Sequence, residues 1–71
     1  MTQCERILEY MGKNGSITQI EAMQNLGCAR LASRINDLRH MGHDIVTTKV
    51  RSENRYGEIV YYARYTINKA G

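Results

Sequence analysis

The stretch ITQIEAMQNLGCARLASRINDLRHMGHDI, residues 17–45, decides the fold. Thr18 followed by Glu21 is a capping box, a helix-start signal in which each residue satisfies the other's backbone N–H. Ile20, Met23 and Leu26 form an apolar stripe beside the small Ala22, and Gly27 is placed to end a short helix of about residues 19–26. A further helix is expected from Ala29 to about Met41. Its Leu31, Ile35 and Leu38 recur at i, i+4 and i+7, which is one helix face, and Gly42 is its natural stop. Two helices joined by a tight turn, with Ala22 permitting close approach, read as a helix-turn-helix. The face opposite the Leu31/Ile35/Leu38 anchor holds Ala29, Arg30, Ser33, Asn36, Asp37 and His40, with Arg34 on its flank. Small and polar side chains there suit a helix that enters the major groove of a duplex. Small Cys28 and Ala29 ahead of Arg30 would let a helix start approach a phosphate. Arg34 has a competing use, since Asp37 lies three residues on and can form an ion pair with it.

On the N-terminal side, Thr2 and Glu5 form a second capping box. Cys4, Ile7, Leu8 and Met11 follow at three- and four-residue steps, and Gly12 is expected to end this helix at about residue 11. Lys13-Asn14-Gly15 reads as a turn, and Ser16-Ile17 as a short extended piece that can join a sheet. On the C-terminal side the period changes to two. Ile45 to Arg51 is rich in β-branched residues, Ser52 to Gly57 is a polar turn, and Glu58 to Asn68 is a second strand, so residues 45–68 are expected to form a hairpin. With Glu53 opposite Glu58, Lys49 faces Tyr62, Thr47 faces Arg64 and Arg51 faces Val60. Val46, Thr48, Val50, Tyr61, Ala63 and Tyr65 then point inward. The cations Lys49, Arg51, Arg55 and Arg64 fall on or near one hairpin face, within reach of phosphate or a minor groove. The expected architecture is α+β: three helices (about 3–11, 19–26 and 29–41), a short strand and a C-terminal hairpin, in a single domain over residues 1–71.

Composition narrows the function classes. At 71 residues and 42% hydrophobic content the chain can build one small core, with little material for a solvent-excluding catalytic pocket. The charge is +3 overall with a pI near 9.1, unevenly distributed. Residues 1–29 carry Arg6 and Lys13 against Glu5, Glu9 and Glu21. Residues 30–64 carry seven Arg or Lys against Asp37, Asp44, Glu53 and Glu58. Lys69 adds the last cation. A one-sided basic surface points to a nucleic-acid partner. No apolar run reaches membrane-span length, and the first residues lack the pattern of a signal peptide. Cys4 and Cys28 read as reduced thiols, consistent with the cytoplasm. There is no Gly-rich phosphate loop and no spacing that suggests a Ser/His/Asp arrangement. Cys28, His40 and His43 offer no convincing zinc set. The expectation is therefore a non-enzyme without cofactor or metal. Of Met1, Met11, Met23 and Met41, three lie on apolar stripes and read as core filler.

From Ile7 to Ile67 the chain resembles the small winged helix-turn-helix proteins common in phage and prophage genomes. The resemblance lies in Glu21-Ala22, the Leu26-Gly27 turn, Arg30-Leu31, small Ser33 before Arg34-Ile35, Asp37-Leu38-Arg39, Gly42 ahead of Ile45, and the Ala63-Arg-Tyr-Thr-Ile67 ending. It implies a winged helix-turn-helix fold and binding of double-stranded DNA through the third helix. The reading it supports is a small phage or mobile-element regulator, or a recombination accessory factor. A homodimer is one expected arrangement, since so small a reader often needs a second copy for specificity. The alternative is a protein-interaction module on the same fold, such as a phage-encoded inhibitor of a host system. It would act through the tyrosine-rich hairpin (Tyr56, Tyr61, Tyr62, Tyr65), because Tyr is enriched at interface hot spots.

Overall fold

A computed structural model describes residues 2–68. Met1 and residues 69–71, Lys69 among them, lie outside the described residues. The elements in order are α1 (Gln3–Asn14), β1 (Ile17–Thr18), α2 (Gln19–Leu26), α3 (Leu31–His40), β2 (Ile45–Glu53) and β3 (Ile59–Ile67).

Both capping boxes form. Glu5 N–H donates to Thr2 Oγ1 at 3.2 Å while Thr2 N–H donates to Glu5 Oε1 at 3.1 Å. Thr18 and Glu21 repeat the exchange at the start of α2. Helix α1 does not stop at Gly12 but runs one turn further, to Asn14. A glycine inside a helix costs only about 1 kcal/mol. The added turn gains a Lys13–Glu9 ion pair at 3.1 Å and an Asn14 side-chain bond to the Tyr10 carbonyl, and Gly15 N–H closes on the Met11 carbonyl at 2.8 Å.

The core is formed by Ile7 and Met11 of α1, Ile17 of β1, Ala22 of α2, Cys28 in the turn, Leu31, Ile35 and Leu38 of α3, and Ile45 of β2. Leu8, Tyr10, Leu26, Tyr65 and Ile67 pack around them. The expected anchor of α3 is thus the buried face. Of the stripe assigned to α2 only Leu26 packs against the core. Ile20 is 64% exposed and Met23 is 56% exposed. Burying Ala22 leaves Ile20 and Met23 about 160° and 100° around the helix from it. Met41, beyond the end of α3, is 65% exposed. Of the described methionines only Met11 fills the core.

Helix α3 begins at Leu31 rather than Ala29. Gly27 takes the left-handed backbone (φ 65°) that turns the chain out of α2. Residues 28–30 then run non-helically so that Cys28 can be buried. At its far end Gly42 N–H reaches the Arg39 carbonyl and His43 N–H the Leu38 carbonyl, both at 3.1 Å, a Schellman closure that sends the chain into β2.

The sheet is antiparallel with strand order β1-β3-β2. Its register differs by one residue from the expected one. Glu53 opposes Ile59, Arg51 opposes Tyr61, Lys49 opposes Ala63, Thr47 opposes Tyr65 and Ile45 opposes Ile67. The polar turn decides this. Asn54 N–H donates to the Glu58 carbonyl at 2.9 Å, and the Asn54 carboxamide oxygen accepts from Tyr56 and Glu58 N–H at 2.9 and 3.0 Å. That places Glu58 opposite Asn54 rather than Glu53. A one-residue slip exchanges the two faces of β2. Val46, Thr48 and Val50 therefore lie on the outer face with Val60, Tyr62 and Arg64. Thr47, Lys49 and Arg51 lie on the inner face with Tyr61, Ala63 and Tyr65. At the base the inner face meets the core through Ile45, Tyr65 and Ile67. Most of the distal hairpin is exposed.

Candidate nucleic-acid interface

Two surfaces carry the residues singled out from the sequence. The first is α3 and the turn before it. Ser33, Asn36, Asp37 and His40 are exposed on the side away from the Leu31/Ile35/Leu38 anchor. Ala29 and Arg30 are exposed too, but in the turn, with Arg30 in a non-helical conformation at the N-cap. Arg34 is half-buried and held by Asp37 at 3.3 Å, so its charge is partly engaged within the helix.

The turn that presents Ala29 and Arg30 is braced from α2. Arg30 supplies no side-chain cap. Instead the Gln19 carboxamide spans the turn, its Nε2 donating to the Cys28 carbonyl at 3.0 Å and its Oε1 accepting from Leu31 N–H at 3.1 Å. One side chain thus satisfies an orphan donor at the start of α3 and ties the turn to the start of α2. Gln19 itself is steadied by its place at the start of α2. There Glu21 accepts from Thr18 through Oε1 and from the Tyr10 hydroxyl through Oε2, at 3.0 Å each. The Glu21 carboxylate beside it raises the Tyr10 pKa above the ordinary tyrosine value.

The second surface is the hairpin. Lys49 and Arg51 point from its inner face, and the Lys49 ammonium stands 5.9 Å from the centroid of the Tyr61 ring. Arg55 and Tyr56 are exposed at the tip, on a turn closed by Gly57 N–H on the Asn54 carbonyl at 3.0 Å. Arg64 does not join them. The one-residue change of register puts it on the outer face, between Thr18 of β1 and Thr48 of β2.

The two surfaces are tied together by Arg39. Its guanidinium donates through Nε and Nη2 to the Ile45 carbonyl at 3.1 and 2.8 Å, and through Nη2 to Thr47 Oγ1 at 2.7 Å. Thr47 lies on the same hairpin face as Lys49 and Arg51. The last turn of α3 is thereby bonded to the start of the strand whose inner face carries Lys49 and Arg51. Arg39 was not among the residues singled out from the sequence. Its signal was position: it lies only about 40° around the helix from buried Ile35, at the edge of the face turned toward the rest of the fold. Gln19 gave no such signal, because its partners are fixed only by the tertiary turn.

A family model for the winged helix-turn-helix domain matches residues 2–70. The chain belongs to the winged helix-turn-helix domain family. Comparison with curated proteins and with solved structures returned no match. In this winged helix-turn-helix, α2 and α3 are the helix-turn-helix proper and the β2–β3 hairpin is the wing. Among the described residues no three His, Cys, Asp or Glu side chains gather where they could hold a metal ion. Cys4 and Cys28 are both free thiols, and Cys28 is buried as a small apolar side chain. No described helix is long and apolar enough to cross a membrane.

Proposed function

We propose that this winged helix-turn-helix binds double-stranded DNA, with α3 in the major groove and the wing on the phosphate backbone. The observation that carries the reading is the Arg39 link, which bonds the last turn of α3 to the strand whose inner face bears Lys49 and Arg51, with Tyr61 beside Lys49. Asn36 and Ser33 supply groups that can read base edges, with Arg30 and Ala29 in the turn ahead of them and His40 at the other end. Lys49, Arg51 and the tip Arg55 supply phosphate contacts that set orientation without choosing sequence. Arg64, on the outer face, takes no part. The resemblance to phage and prophage proteins supports a role as a small regulator or recombination accessory factor of a mobile element, acting in the cytoplasm.

The test is the salt dependence of affinity for a duplex. Released counterions make log affinity fall with log salt by about 0.9 for each phosphate neutralised. Arg51→Ala and Arg55→Ala should each lower that slope by about one, and Arg64→Ala should leave it unchanged. A slope near zero in the unaltered chain contradicts DNA binding.

A second reading draws on the outer face of the wing, where Val60 and Tyr62 are exposed side by side and Val46 is exposed further along. Such a surface fits a protein partner, as in a module that inhibits a host system. It is favoured if Tyr62→Ala abolishes a protein complex while the salt slope with DNA stays flat.

A further inference from the structure

The sheet has two open edges of opposite character. Strand β1 lies beside β3 only at Arg64 and Tyr65, so among the described residues β3 has no neighbour on that side from Ile59 to Ala63. The direction of the backbone groups there follows from the ladder with β2. Asn54 N–H donates to the Glu58 carbonyl at one end, and Asn68 N–H donates to the Asp44 carbonyl at the other. In the observed register these bonds make even-numbered residues the ones that exchange hydrogen bonds between β2 and β3. Odd-numbered residues of β3 turn the other way, Tyr65 toward β1 and Ile59, Tyr61 and Ala63 toward the open edge.

The segment Ile59-Val-Tyr-Tyr-Ala63 has no charge, no Gly and no Pro, and its first four residues are β-branched or aromatic and exposed. Natural edges are usually guarded by Lys, Pro or a bulge. The β2 edge is guarded in this way, for a full antiparallel overlap of β2 with its own copy sets Lys49 against Lys49. The β3 edge has no such guard.

We propose that the β3 edge from Ile59 to Ala63 is a self-association surface, on which the same strand of a second copy adds antiparallel. Pairing centred on Tyr61 sets Tyr61 against Tyr61 and Ile59 against Ala63. All three outward residues of each protomer then exchange hydrogen bonds, and no like charges meet. Thr18 already occupies the place beside Arg64, so the added strand ends at Ala63. The two-fold axis between antiparallel neighbours is perpendicular to the sheet. Both helix layers therefore fall on one side of the joined sheet.

The experiment uses the whole chain without DNA, so its outcome is independent of the DNA-binding proposal. Sedimentation equilibrium and NMR amide exchange are measured over a concentration series. The expected result is a dimer in which the Ile59, Tyr61 and Ala63 amides slow as concentration rises, while those of Lys49 and Arg51 do not. Tyr61→Pro removes a donor from the open edge but none from the β2–β3 ladder, and should abolish the dimer. Tyr61→Lys keeps the donor, sets two ammonium groups opposite each other, and should weaken the dimer with the fold retained by circular dichroism. A monomer at every concentration overturns the proposal. So does a dimer whose slowed amides are those of Lys49 and Arg51, or in which no strand amide slows, or one that Tyr61→Lys leaves intact.

Discussion

Replacing Arg39 tests whether the wing is held by α3 or merely follows it in sequence. Arg39→Ala removes two bonds to the Ile45 carbonyl and one to Thr47 Oγ1. Hydrogen bonds from a charged donor contribute roughly 1.5–3 kcal/mol. Here the guanidinium is exposed and water can reach the vacated carbonyl on the open β2 edge, so the set as a whole should be worth about 1.5–2 kcal/mol. In a domain of this size each kcal/mol moves the melting temperature by about 4–8 °C, and a fall of roughly 6–16 °C is expected by circular dichroism. Arg39→Lys separates position from charge. It keeps the cation but cannot present two donors to one carbonyl and a third bond to the hydroxyl. If Arg39 sets the wing, the lysine variant loses duplex affinity nearly as far as the alanine variant, and residual dipolar couplings show the hairpin reoriented against α3. Unchanged melting and wild-type affinity in Arg39→Ala would refute the reasoning. Full rescue by lysine would show that only its charge matters.

Other substitutions follow the same logic. Ile35→Ala, in the fully buried anchor, should cost roughly 2–5 kcal/mol in urea unfolding, enough to unfold much of so small a domain. Gln19→Ala leaves the Cys28 carbonyl and the Leu31 N–H without their shared partner. It should cost about 1–2 kcal/mol and speed amide exchange at Leu31, leaving the Tyr10–Glu21 contact intact. Arg30→Ala with Asn36→Ala should relax sequence preference by roughly 1–3 kcal/mol for each lost base contact, read by competition between duplexes. The Tyr10 phenol, bonded to Glu21, has its folded pKa raised. Its contribution to stability is therefore complete below the unfolded tyrosine pKa and is lost as pH rises through the folded one. Tyr10→Phe should remove from the 295 nm titration a component that titrates above the ordinary tyrosine value.

The helical half of the fold was legible because its signals are local. Capping boxes at Thr2 and Thr18, the turn at Gly27 and the i, i+4, i+7 anchor of α3 each act within a few residues. The readings that failed depend on what lies across the fold. Whether Ile20 and Met23 or Ala22 and Leu26 face inward is set by which side of α2 meets the core, and an eight-residue helix with apolar residues on both sides does not declare it. Where α3 begins depends on the reach of Gln19 across the turn. The hairpin register rests on one asparagine. Asn54 pairs with Glu58 through backbone and side chain, and the resulting one-residue difference moved Arg64 off the basic face and brought Tyr61 onto it. Of the candidate interface, the polar face of α3 could be read from helical spacing. The bond that joins it to the wing could not, because Arg39 finds its partners only once β2 has folded back.

An NMR titration of the whole chain with a duplex tests most directly whether α3 and the inner face of the wing act as one DNA-binding surface. The expected amide shifts fall together on Ala29, Arg30, Ser33, Asn36 and His40 and on Lys49, Arg51, Arg55 and Tyr61, with Val46, Val60, Tyr62 and Arg64 unmoved. Shifts confined to the outer face of the wing, or none at low salt, would contradict it.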